Sequence, residues 1–118
     1  MPTCEKPPTR TMLLIGGLKE ARSLFSLGLP VPVRITEKKG RKESFEFYWI
    51  ARIDQTGIWM VSKEAPNGAE PIHYQVDTWN SNPEEWECDH NQVRNFCGAK
   101  ATGCRHCLAV AQLIRLLK

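Results

Sequence analysis

Four of the five cysteines (Cys88, Cys97, Cys104 and Cys107) and two of the three histidines lie between residue 88 and the C-terminus of this 118-residue chain. No other feature restricts the fold as much. Thiols and imidazoles at such short spacing cross-link, react or share a metal ion. A disulfide scaffold belongs to secreted chains. Here Pro2, Glu5, Pro7 and Pro8 occupy the place where a signal peptide needs an apolar core. The expectation is therefore a metal site in an intracellular, cytoplasmic chain. No apolar run approaches the roughly 20 residues that a membrane-crossing helix needs, so no membrane partner is expected.

Two ligand pairs share one form, Cys88-x-His90 and Cys104-x-His106, separated by residues 91–103. Zinc takes four donors in a tetrahedron, and thiolate sulfur and imidazole nitrogen are its usual protein ligands. A pair spaced by one residue reaches one ion where the backbone turns as a knuckle. A second pair at the start of a helix approaches from another direction, and the positive helix end favours the thiolate of Cys104. Gly98 and Gly103 let the chain double back between them.

The segment Cys104-Arg105-His106-Cys107-Leu108-Ala109-Val110 resembles the C-K-H-x-x-A-V element of the SWIM-type zinc finger, a family that reads C-x-C, a variable loop, then C-x-H. Tyr74-x-Val76 and Trp86-x-Cys88 are similar to the strand that enters the family's first knuckle. The resemblance covers about residues 71–118, and more loosely the whole chain is similar to small stand-alone bacterial and phage SWIM proteins. It implies one structural zinc ion on Cys88, His90, Cys104 and His106. His90 stands where the family usually has Cys, and Cys97 is the alternative for that corner. Cys107 falls where the family carries an aliphatic residue and reads as core, because buried cysteine behaves as a small hydrophobe. Cys4, in a polar tail over residues 1–11, reads as a bystander.

The rest of the chain reads as a single domain over residues 12–118, of α+β class: an N-terminal helix, an antiparallel β-meander, and a C-terminal zinc knuckle followed by a helix. Leu18, Ala21, Leu24, Phe25 and Leu27 have helical spacing, with Gly28 as a stop. From Val31 the period becomes two. Strands are predicted from Val31, over Phe45–Ile53, over Ile58–Ser62, from Ile72, and near Trp86–His90. Pro32 predicts a sheet edge for the first of them. Phe45, Phe47, Trp49, Ala51 and Ile53 share one face of the second. Leu108, Val110, Ala111, Ile114 and Leu117 mark the closing helix.

Clustered soft donors are what a closed structural site contains, and no carboxylate completes a hydrolase pattern near them, so the chain is not expected to be an enzyme. SWIM fingers occur in transposases, chromatin-remodelling ATPases, ubiquitin ligases and recombination factors, which implies a binding module for DNA, RNA or protein. The formal charge is +3. Arg34, Lys38, Lys39, Arg41 and Lys42 cluster around one turn, where they form a candidate phosphate-contacting surface. Arg94, Lys100 and Arg105 are positioned to extend it. A protein-interaction adaptor, stiffened by the finger, is the alternative.

Overall fold

The structure, a computed structural model, describes residues 9–53, 57–65, 68–90, 93–96 and 104–118, with residues 90 and 93–96 described by their backbone alone. The chain runs β1 (Thr9–Leu14), α1 (Gly17–Ser26), β2 (Val31–Lys39), β3 (Lys42–Arg52), β4 (Ile58–Lys63), β5 (Ile72–Asp77), a 3-10 turn (Pro83–Glu85), β6 (Glu87–His90), β7 (Val93–Phe96) and α2 (Arg105–Leu117). Among the described residues the seven strands form one sheet in sequence order, each antiparallel to the next. This is an α+β fold with a closing helix. The short connections foretell the antiparallel order, because parallel strands need long crossovers.

Two expectations change. The first described element is a strand and not a helix: Thr9–Leu14 pairs along β2, so residues 9–11 belong to the sheet and not to a tail. Pro32 does not mark an edge, since β2 lies between β1 and β3. The ladder with β1 ends at Leu14↔Val33, one residue before Pro32, whose carbonyl still accepts from the Ile15 amide at 3.1 Å. N–H and C=O of one strand residue point to the same side. The missing N–H of Pro32 therefore faces the end of the ladder, where it breaks no pair.

Helix α1 ends in a Schellman motif. Gly28 takes φ 74, its amide donates to Phe25 O at 3.0 Å, and the Leu29 amide donates to Leu24 O at 2.9 Å. At the other tight reversal Lys39 faces Lys42, which leaves Gly40 and Arg41 as a two-residue loop with Gly40 at φ 62. A positive φ at the first loop position matches the right-handed strand twist of a hairpin.

One face of the sheet carries both helices and the core. Val31, Val33 and Ile35 of β2 lie beside Ile50 and Tyr48 of β3. Val61 and Trp59 of β4, Val76 of β5 and Cys88 of β6 continue the layer. Ala21 of α1 and Cys107, Ala109, Val110 and Leu113 of α2 close over it. Phe25 stacks on Trp59 with ring centroids 5.7 Å apart and planes 9° apart. The other face of β3 is the surprise, with Phe45 57% and Phe47 49% exposed. Register explains it. The buried β2 positions Val31, Val33 and Ile35 face Ile50, Tyr48 and Glu46, so the even residues of β3 turn inward and the more apolar odd ones turn out.

Deletion of core volume and deletion of outer-face volume should therefore differ. Leu113→Ala is expected to lower unfolding free energy by about 2–5 kcal/mol, and Phe47→Ala to change it by no more than about 0.5 kcal/mol. Urea unfolding of both variants measures this. Comparable losses would place Phe47 in a packed core.

Candidate metal centre

The end of β5, the short strand β6 and the first turn of α2 build the site. A 3-10 turn delivers β6: the Asn82 side chain caps it by accepting from the Glu84 amide at 3.1 Å, and Trp86 Nε1 donates to Asn80 O at 2.6 Å. Trp86 is buried, so it anchors the chain just before Cys88 enters the sheet opposite Val76. Cys104 is the N-cap of α2, and its sulfur accepts from the His106 amide at 3.3 Å. A cysteine thus fills the role usually taken by Ser or Asp, satisfying one of the unpaired amides of the first turn.

Cys88, Cys104 and His106 are all buried, and their ligand atoms lie within 4.8 Å of one another. The Sγ atoms of Cys88 and Cys104 each approach His106 Nδ1 at 3.4 Å. Among the described residues this is the one group of soft donors that could hold a metal ion. The His106 ring is fixed from two sides. Tyr74 stacks on it at 4.0 Å, 18° from parallel, and Tyr48 meets it edge to face at 5.4 Å. The backbone of His90 belongs to β6 and pairs with Val93. Cys4, Cys97 and Lys100 lie outside the described residues.

Cys107 is fully buried, as a core residue would be, but it is also part of this cluster. Hydrogen bonds from the Cys107 and Cys88 thiols, with His106 adding to them, hold Cys104 well below the ordinary thiol range despite burial. The Cys88 thiol moves the other way, raised by its hydrogen bonds to Cys104 and Cys107 and by burial. Cys104, the thiol that is lowered, lies at the positive end of α2.

Arg105, between the two α2 donors, was expected to extend the basic surface. It is instead engaged inward, at 3.1 Å from Glu46 of β3 and 3.6 Å from Glu37 of β2. Glu37 also accepts from Arg10 Nε at 2.9 Å, and Tyr48 donates its hydroxyl to Glu46. Arg10, Glu37, Arg105, Glu46 and Tyr48 thus tie β1, β2 and β3 to the start of α2. Sequence spacing could not find this clamp, since Arg105 and Glu46 are 59 residues apart. The two tyrosines around His106 were equally hidden. Tyr74 is marked in the sequence only as part of the Tyr74-x-Val76 element, and both tyrosines occupy inward positions, one on β3 and one on β5. His73, read as a surface histidine, is exposed and has its Nδ1 2.6 Å from Ser62 Oγ.

Compared with protein-family models, curated proteins and solved structures, the chain matches none. The resemblance to SWIM fingers rests on the residues quoted for it.

Substitution tests the donor set. Cys88→Ser, Cys104→Ser and His106→Ala should each release bound metal, measured by elemental analysis after gel filtration. At the fourth corner His90→Ala should release it as well, and Cys97→Ser and Cys107→Ala should retain it. Release by Cys107→Ala with retention in His90→Ala would reassign that corner to Cys107.

The clamp sets a dependence on acid. The Arg10 hydrogen bond holds Glu37 below its ordinary 4.5. Burial pushes Glu46 up, but the Tyr48 hydrogen bond with Lys63 and Arg105 outweighs it and leaves Glu46 lowered as well. Depressed carboxyl groups stabilise the fold above their unfolded values, and that contribution fades as pH falls through the lower folded ones. Urea midpoints should therefore fall below about pH 4.5, and less in a Glu37→Gln, Glu46→Gln double variant. Parallel curves for the two proteins would remove the clamp from the acid response.

Proposed function

We propose that the chain is a zinc-binding protein of SWIM-finger type, in which one structural ion on Cys88, His90, Cys104 and His106 supports a nucleic-acid-binding surface. The observation that carries the metal part is the convergence of Cys88, Cys104 and His106 inside the fold. Bonds of about 2.3 Å to sulfur and about 2.0–2.1 Å to nitrogen place tetrahedral donors roughly 3.6 Å apart. The two sulfur-to-nitrogen separations of 3.4 Å suit such an ion. Thiolate-rich, buried donors suit zinc better than magnesium or calcium, which take oxygen. The role is structural and not catalytic, because the donors are shielded from water by Tyr48, Tyr74 and the helix.

The nucleic-acid part rests on charge. Lys38, Lys39, Arg41 and Lys42 are exposed at the tip of the β2–β3 hairpin, and Arg34 lies further down β2. The carboxylates Glu37 and Glu46 face the other way and are engaged by Arg10, Arg105 and Lys63. At the tip Glu43 lies across from Lys38, and Lys39 interacts electrostatically with Glu37. The second reading, a protein-interaction adaptor, draws on the exposed rings of Phe45 and Phe47. No helix among the described residues is long and apolar enough to cross a membrane.

Protein purified without added metal should contain one zinc per chain. A strong chelator should expose amides over residues 84–118 to hydrogen exchange before those of β2–β5, because structural zinc contributes on the order of 10–16 kcal/mol in finger peptides. In mobility-shift assays, binding should weaken steeply with salt as phosphates regain their counterions. A Lys39→Glu, Arg41→Glu variant should bind all sequences about equally less well. Zinc-free protein of unchanged exchange would end the structural-metal reading, and salt-independent binding would end the phosphate one.

A further inference from the structure

The outer face of β1–β3 is unlike the surface of an ordinary small domain. Phe45 and Phe47 pack edge to face with ring centroids 5.5 Å apart, and both are exposed to solvent, Phe45 at 57% and Phe47 at 49%. Trp49 continues their row on β3, and Leu13 flanks it on β1 with 54% exposure. Arg34, opposite Phe47 in the register, lays its guanidinium 5.6 Å from the centre of the Phe45 ring. Its Nε is buried without a hydrogen-bond partner.

We infer that this face is a stacking platform for single-stranded nucleic acid. The inference rests on the nucleic-acid reading of the basic hairpin and assigns the class of strand it takes. Rings on one strand face recur every two residues, about 6.6–6.8 Å. Exposed rings at such intervals, here set edge to face at 76°, suit unpaired bases, whose faces are open, and do not suit a duplex, whose base faces are already stacked. The row leads along β3 through Glu43, which faces Lys38, to Arg41 and the hairpin tip, so a strand stacked on the rings carries its phosphates towards the cations. Beside Phe47 and Trp49 lies an open cavity of about 650 Å³ whose lining includes Ile15, Pro32, Lys63 and Glu64, room for a base turned out of the stack.

Charge decides against the other occupants. The outward positions of β1–β3 hold one carboxylate, Glu43, against Arg34 and Lys38, with Lys39, Arg41 and Lys42 at the tip beside them. A second copy docked by the same face would bring two such cationic sets together across the two-fold axis. An apolar protein partner would take the charged Arg34 guanidinium out of water and supply no acceptor for it, which is costly. A phosphate-bearing, planar ligand supplies both an acceptor for Arg34 and stacking for the rings.

The test is fluorescence anisotropy of the zinc-loaded full chain with three labelled 12-mers: oligo-dT, oligo-U and a DNA duplex. Phe45→Ala and Phe47→Ala are exposed substitutions, and unchanged circular dichroism and thermal midpoint confirm their folding. Each should weaken binding of the single strands roughly tenfold or more and leave duplex binding unchanged. The Lys39→Glu, Arg41→Glu variant should weaken all three ligands. The relative affinity for oligo-dT and oligo-U tells which sugar is preferred. If single strand and duplex bind alike and the ring variants are neutral, the platform is overturned and the basic hairpin stands. If none of the 12-mers binds at low salt, both readings fall. Concentration-dependent dimerisation abolished by Phe47→Ala, without nucleic-acid binding, would assign the face to a second copy instead.

Discussion

The meeting of Cys88 with the first turn of α2 is the contact on which the lower half of the molecule depends. Strand β6 has four residues, and its register with β5 pairs Val76 with Cys88 and Asp77 with Glu87. So short a ladder holds a strand weakly by hydrogen bonds alone, since each contributes only about 0.5–1.5 kcal/mol net. Cys88, Cys104 and His106 add a second link between β6 and α2, buried under the two tyrosines. The same helix supplies Val110 and Leu113 to the core, so whatever fixes its first turn also fixes how it lies on the sheet.

That first turn is held from the other side as well. Arg105 points away from the sulfur cluster and into Glu37 and Glu46, and Tyr48 joins the two groups by touching both His106 and Glu46. The hydrogen bond to Glu46 and above all burial raise the Tyr48 hydroxyl above its ordinary value, so it stays a donor across the physiological range. The base of the basic hairpin and the first turn of α2 are therefore tied through the same side chains.

The sheet also divides the molecule's chemistry between its faces. Inward positions of β2 and β3 carry Glu37 and Glu46, each matched to an arginine or lysine, and Glu43 is the one carboxylate at an outward position. Outward positions carry open rings and cations.

Alternation along the chain determined much of this from sequence alone. Period two over β2–β5 and period 3.6 near the C-terminus fix strands and helix because backbone geometry repeats with those periods. The spacing of Cys88, Cys104 and His106 was legible because metal donors need particular elements at short separation. Pattern does not say which side of a strand faces inward. Strand β3 has two apolar rows, and the row with more rings, Phe45, Phe47 and Trp49, is the one left outside. Only pairing with Val31, Val33 and Ile35, and the helices lying over that face, could choose Tyr48 and Ile50 for the core. Arg105 shows the same limit. Its charge is written in the sequence, but whether it meets phosphate or carboxylate depends on what folds against it, and Glu37 and Glu46 arrive from strands far away along the chain.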